Sequence, residues 1–219
     1  MGDNGTGFWV TLVCLILGFP LAYHLARTES RLKTLLYFFI LSPLLVGVVI
    51  RCYGWMIILG PHNGLINTTL KQLNLIDNSL PLMFNTFGVG VGLVHVFLPF
   101  MILPLLGSIQ AVDPAIEEAS QSLGASRLKT MFKVIMPLCL PGIQAGSILV
   151  FVLTISSFVI PILLGSYKVM IMPTLVVQQI IDAMLWPFGA ALAFILSIAG
   201  GLAIYIYLKL TSWLVPAAR

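Results

Sequence analysis

Five apolar runs dominate this chain, at about residues 8–26, 35–59, 82–106, 142–165 and 186–210. Each approaches or exceeds the roughly 20 residues a helix needs to cross a bilayer, and a segment inside hydrocarbon must satisfy its own backbone amides, as a helix does. Composition agrees: 59% of the 219 residues are hydrophobic and 8% are charged, where soluble domains carry about a quarter charged residues. The sequence therefore predicts an all-α, polytopic helical membrane protein. No Gly/Ser-rich linker, long charged run or internal repeat divides it, so residues 1–219 read as a single domain.

The connections between the runs separate by charge. Arg27, Arg31, Lys33, Arg127, Lys129, Lys133, Lys209 and Arg219 fall on one side, and only Lys71 and Lys168 on the other. Basic residues accumulate in cytoplasmic loops, which predicts an external visible N-terminus, a cytoplasmic segment 107–141 and a cytoplasmic C-terminus. The net charge of +4 is dispersed over loops without a basic patch or aromatic-interleaved run, which argues against nucleic acid. Cys14, Cys52 and Cys139 show neither CxxC nor Cys/His ligand spacing, so neither a metal, a cofactor nor a disulfide framework is indicated. The start, with Gly2 and Thr6, matches a loose myristoylation pattern, yet the charge rule puts this end outside. Asn4-Gly5-Thr6 and Asn67-Thr68-Thr69 fit the glycosylation sequon, which would carry meaning only in a secretory pathway that glycosylates it and none if the source is bacterial. The first run, flanked by Asp3 and long enough to span, is unlike a cleaved signal peptide.

The polar interruption between the third and fourth runs is the most patterned stretch. Asp113 and Pro114 make an N-cap and first helical residue, with Glu117 and Glu118 in the first turn. Gly124 interrupts the pattern, Ser126 caps a second helix, and Leu128, Met131, Phe132 and Ile135 form an apolar stripe beside Arg127, Lys129 and Lys133. Pro137 and Pro141 are expected to end it. On the residues alone, an ordinary loop with a short amphipathic helix explains this as well as a docking element does.

Glu118-Ala119-Ser120, Gly124-Ala125, Phe132, Ile135, Pro137 and Pro141 closely resemble the EAA signature of bacterial ABC-importer permeases, with Ser120 in place of Ala and Met136 in place of Leu. The resemblance implies a type I importer-like permease core. Its loop would form coupling helices docked on a cytoplasmic ATP-binding subunit, through Glu117, Glu118, Ala119, Ser120, Gly124, Ala125, Ser126 and Arg127. It further implies two ATP-binding subunits that hold ATP and Mg2+, a second, homologous permease subunit, an external or periplasmic substrate-binding protein, and residence in the bacterial inner membrane. Such permeases usually have six spans with both ends inside, so the five visible spans are expected to lack the family's first helix. Arg51-Cys52-Tyr53-Gly54-Trp55, Gly60-Pro61, Asn63-Gly64-Leu65, Leu98-Pro99-Phe100-Met101 and Trp186-Pro187-Phe188-Gly189-Ala190-Ala191 are similar to the spermidine/putrescine-type subfamily. The implied cargo is a polyamine, with opines, amino-acid derivatives, phosphonates and iron complexes as alternatives.

No Asp or Glu lies inside a predicted span, which disfavours an ion-driven carrier or a channel working alone. The chain also lacks a GxxxxGK[ST] phosphate loop, so no catalytic residue is expected here and ATP hydrolysis falls to partners. An intramembrane hydrolase would need Ser156 or Ser157 paired with His95 or His24, and no motif pairs them. For the solute pathway the candidates are Arg51, Tyr53, Trp55, Asp182 and Trp186, since aromatic faces and carboxylates suit a cationic amine. Arg51 reads equally as a packing or gating residue, His95 as a hydrogen-bonded packing residue, and Trp55, Tyr167, Trp186 and Phe188 as an outer aromatic belt. Gly88, Gly90 and Gly92, and Gly142 with Gly146, favour close helix packing. Outside the membrane, Leu65 to Leu75 reads as a short amphipathic piece, and Thr174 to Ile181 as an apolar stretch too short to span.

Overall fold

The computed structural model describes residues 3–28, 32–61, 63–165, 169 and 171–214; Gly2, Arg31, Tyr167, Lys168 and Arg219, singled out above, lie outside them. The described residues are helical, in chain order α1 (Asp3–Arg27), α2 (Leu32–Leu45), α3 (Val48–Leu59), α4 (Leu65–Gln72), α5 (Thr86–Gln110), α6 (Pro114–Ser122), α7 (Arg127–Thr130), α8 (Met136–Leu138), α9 (Leu140–Ser156), α10 (Met172–Val177) and α11 (Trp186–Leu214). Three π-helical turns, Met131–Ile135, Pro161–Gly165 and Gln178–Asp182, join or extend them.

Among the described residues three helices are long and apolar enough to span alone, at Gly5–Arg27, Thr86–Gln110 and Trp186–Leu210, and two bent pairs raise the number of candidate spans to as many as five. The run at 35–59 is thus two helices inclined by 103° rather than one rod. Pro43 withholds an amide in the last turn of α2, Val46 N–H closes that turn onto the Pro43 carbonyl at 3.2 Å, and Gly47 is extended, with φ −56° and ψ 142°. A second bend of 72° separates Arg127–Leu138 from Leu140–Ser156. The helical path runs through Pro137 and breaks two residues later at Cys139, ahead of Pro141.

The core is built around α5, which packs most extensively against α1 and α9. Val89, Leu93, Met101, Leu105 and Ile109 of α5 are fully buried, as are Cys14, Ala22 and Leu25 of α1 and Val150 of α9. Glycines permit the approach. A Cβ on Gly142 would meet the Pro104 carbonyl oxygen at 2.6 Å and the Ser108 hydroxyl, and one on Gly146 would meet Met101 Sδ at 2.9 Å. Gly92 is closed by Leu164 and Ile160, whereas Gly90 faces open space and takes no part in the packing expected of it. On the outer surface, α11 exposes Phe194, Ile198, Leu202 and Tyr205 in one stripe, an arrangement suited to hydrocarbon and not to water.

The connection between α3 and α5 is organised by Asn67, which is fully buried. Its amide donates to the carbonyls of Gly60 (3.2 Å), Pro61 (3.3 Å) and Leu80 (3.0 Å), and its oxygen accepts from Leu80 N–H at 2.9 Å. The sequon at Asn67 is therefore a structural clip. Asn85 then caps α5 by accepting from Gly88 N–H at 2.9 Å.

Two stability outcomes follow from this packing. Gly142→Leu is expected to lower the melting temperature of the purified protein by an amount reflecting about 1–3 kcal/mol of overpacking, while Gly90→Ala leaves it unchanged or slightly higher. Asn67→Ala strands several carbonyls at about 1–3 kcal/mol each when no other donor replaces it, and faster proteolytic cleavage within 60–81 is the expected sign.

Candidate functional site

The polar segment 107–141 folds as two short helices meeting at a sharp corner. Asp113 accepts from Ala115 N–H at 2.9 Å and Pro114 opens α6, while Ser126 accepts from Lys129 N–H at 3.3 Å and opens α7. Between them Gly124 adopts φ +87°. Gly124 N–H bonds the Gln121 carbonyl at 2.9 Å and Ala125 N–H bonds the Ser120 carbonyl at 3.2 Å, the two-bond closure of a Schellman cap with its glycine in the left-handed region. The corner is held a second time, because Ser120 Oγ lies 3.0 Å from the hydroxyl of buried Thr130. Ser120, the departure from the usual alanine, is thus the residue that ties α6 to α7.

Placement divides the candidate residues. Glu118, Ala119, Gly124, Ser126 and Arg127 are exposed, and Ser120 and Ala125 half-buried. Glu117, grouped with them from the sequence, turns inward and is 8% exposed. Its Oε2 accepts from Tyr23 Oη at 2.7 Å and its Oε1 from Arg27 Nε at 2.7 Å, with Arg27 Nη2 also bonded to that oxygen. Arg27 Nη2 donates in addition to the Val112 carbonyl at 3.0 Å. Sequence spacing gives no sign of this network, whose partners lie 85 to 94 residues apart.

Beyond Thr130 the chain adopts a π-helical turn over Met131–Ile135, which inserts one residue into the helical repeat. The predicted apolar stripe is split by it. Thr130 and Ile135, five residues apart, are buried, whereas Leu128 (68% exposed) and Phe132 (56% exposed) face outward. Leu123, beside Gly124, is 89% exposed as well, and Arg127, Lys129 and Lys133 are exposed in the same stretch. Leu123 was not among the residues the sequence reading selected, and its one signal is an apolar residue at the end of an otherwise polar helix.

The pathway candidates do not gather into one cluster. Arg51 and Trp55, one helical turn apart on α3, face α5, where Trp55 meets His95 edge-on at 5.4 Å between ring centroids. Arg51 Nε and Nη1 and His95 Nδ1 are closed off from solvent without a hydrogen-bond partner among the described residues. Tyr53 lies on the opposite face of α3, exposed with Ile50 and Ile57. Asp182 ends a π-helical turn after α10, and Trp186 opens α11; both are exposed, and α10 and α11 pack on each other and on α9. No group of three or more His, Cys, Asp or Glu is placed to hold a metal among the described residues.

Apolar helices of spanning length, bent pairs and a capped helical corner define a polytopic helical membrane component. Residues 14–215 match the family described as binding-protein-dependent transport system inner membrane component, and the chain belongs to that family. It is similar to the spermidine/putrescine transport system permease protein PotB of Escherichia coli (strain K12), with 38% identity over 197 residues that cover 90% of this chain and 71% of the relative. It is also similar to PotB of Haemophilus influenzae, with 33% identity over 199 residues, 91% of this chain and 69% of that one. A bacterial alginate ABC transporter, solved in complex with an alginate pentasaccharide-bound periplasmic protein, shares the fold with a TM-score of 0.74 at 17% identity, over 95% of this chain and 76% of that one.

The corner makes a direct prediction. Gly124→Ala forces a Cβ into left-handed backbone at about 1–2 kcal/mol, so amide hydrogen exchange across α6 and α7 should accelerate, and Gly124→Asn, better tolerated there, should accelerate it less.

Proposed function

We propose that this chain is the transmembrane subunit of an ATP-driven ABC importer and forms the translocation pathway for a polyamine of the spermidine/putrescine type. The observation that carries the reading is 38% identity to a spermidine/putrescine permease over 90% of the chain, joined to a helical corner that exposes Glu118, Ala119 and Gly124 of the EAA signature. In this reading the chain pairs with a second, homologous permease and receives solute from an external or periplasmic binding protein. Two cytoplasmic ATP-binding subunits hold ATP and Mg2+ and carry out hydrolysis. The visible N-terminus is external and the C-terminus cytoplasmic, following the distribution of Arg and Lys.

The corner suits docking for physical reasons. Leu123, Leu128 and Phe132 offer apolar area on a water-facing segment, Arg127, Lys129 and Lys133 flank it with charge, and the double closure at Ser120 and Gly124 lets it move as one body. Contact through an apolar centre with a charged edge is the usual anatomy of a protein interface. Glu118, exposed at the tip side of α6, is available to a basic partner residue, whereas Glu117 is engaged internally.

A second reading, import of another small solute such as an opine, amino-acid derivative, phosphonate or iron complex, is favoured by one observation. Arg51 places a cation with unpaired donors on α3, and such a group attracts an acceptor more readily than an amine.

The test is reconstitution of the permease pair with its ATP-binding subunits and binding protein in liposomes. Spermidine or putrescine is expected to stimulate ATP hydrolysis and to accumulate inside; uptake that persists after every ATP-binding subunit is removed contradicts the importer reading, and stimulation by a different solute class contradicts the polyamine assignment. Glu118→Lys is expected to insert normally and to reduce uptake about tenfold, within the range of ordinary coupling energies.

A further inference from the structure

The inward carboxylate of Glu117 has a geometry beyond what helix capping needs. It sits in the first turn of α6, where a side chain that only complements the dipole stays in water, yet it is 8% exposed and both its oxygens are occupied. Every donor comes from α1. Tyr23 and Arg27 are four residues apart and so project from one face of the last turns of that helix. Arg27 holds α6 at the Glu117 carboxylate and the connection leading into it at the carbonyl of Val112, the residue before the Asp113 cap. Beyond this network α6 makes modest contact with α7 and with the π-helical turn that follows it. α1 is itself packed on α5 and α9, with Ala22 and Leu25 fully buried beside Tyr23 and Arg27.

Resting on the importer reading above, we propose that Arg27, Glu117 and Tyr23 form the tether through which displacement of α6 by an ATP-binding subunit is passed to α1. They are positioning residues: Glu117 is buried and engaged with Tyr23 and Arg27, whereas Leu123, Leu128 and Phe132 are the exposed residues of the corner. A charge-assisted pair with two donor nitrogens on one oxygen resists both separation and rotation, and its partial burial shields it from salt. The route is separate from the covalent ones, through the 111–113 connection into α5 and through α7, the π-helical turn and α9. A push on the corner therefore reaches α1 as well as α5 and α9, and the carboxylate of Glu117 is the point at which α6 itself is held to α1.

Uptake and ATP hydrolysis are to be measured on the same liposomes containing the full complex, with the amount of assembled complex determined in parallel. Glu117→Gln is expected to lower solute imported per ATP hydrolysed about tenfold while hydrolysis per complex stays near the parent value, and the exchanged pair Arg27→Glu with Glu117→Arg to recover a large part of the ratio. Tyr23→Phe and Arg27→Lys, which keep the charges and the packing, are expected to lower the ratio by smaller factors; they decide the matter where Glu117→Gln fails to assemble. An unchanged ratio in all assembled variants, or losses of uptake and hydrolysis in equal proportion, overturns the tether and leaves the importer reading standing. A parent complex that shows no solute-stimulated hydrolysis overturns the importer reading and the tether with it.

Discussion

The burial of α5 between α1 and α9 is the contact on which the other elements depend. A helix surrounded by protein along its length gives its neighbours a fixed surface, and in hydrocarbon, where lipid tails compete equally with apolar side chains, close backbone approach supplies what a hydrophobic driving force supplies in water. Gly142 and Gly146 bring α9 within contact of the α5 backbone at Pro104 and Met101. With α1 packed on both α5 and α9, the three helices form the reference frame, and α2 with α3, and α10 with α11, are arranged outside it. The nearly bare surface of α11 belongs to the same logic, since a helix that touches few neighbours is stable in a bilayer through its own hydrogen bonds.

From that frame the polar corner projects as a body with three attachments. Two are covalent, through the short 111–113 connection back to α5 and through α7 and the π-helical turn into α8 and α9. The third is the Arg27 network to α1. Because α1 and α9 both pack on α5, a force applied at the corner meets the bundle where its packing is densest, so it is resolved into movement of whole helices rather than absorbed in loose loops. Close-packed interiors respond in this discrete way because they deform little.

Local chemistry made part of this arrangement legible in the sequence. Asp113-Pro114, Gly124 and Ser126 announce helix start, corner and second start through residues whose capping and backbone preferences act within a few positions, and the structure uses all of them as such. The apolar runs likewise indicate an all-α membrane fold. What stayed hidden depends on distance along the chain or on non-α geometry. Glu117 reads from its neighbours as a first-turn acid, and only the fold brings Arg27 and Tyr23 to it. Gly47 lies within an unbroken apolar run, so the 103° bend is visible only as a Pro43 and a glycine that single spans also tolerate. Arg51 and Trp55 share a face of α3 by spacing, but that this face looks toward His95 is a matter of packing, and the separation of Asp182 and Trp186 from them is as well.

The π-helical turn at Met131–Ile135 bears on how this stretch can change over evolutionary time. Its additional residue sets the angular phase of the helix, turning Leu128 and Phe132 outward while Thr130 and Ile135 stay inside. A π-helical turn holds one residue more than the α-helical turn it replaces, so Thr130 and Ile135 share the inner face at a spacing of five where an α-helix would need four. Loss of one residue within the turn can therefore be taken up by a return to α-helical geometry with the flanks keeping their phase, whereas the same loss in the regular helix on either side would rotate one flank by about 100°, which makes this turn the place along the stretch where a change of length disturbs the packing least.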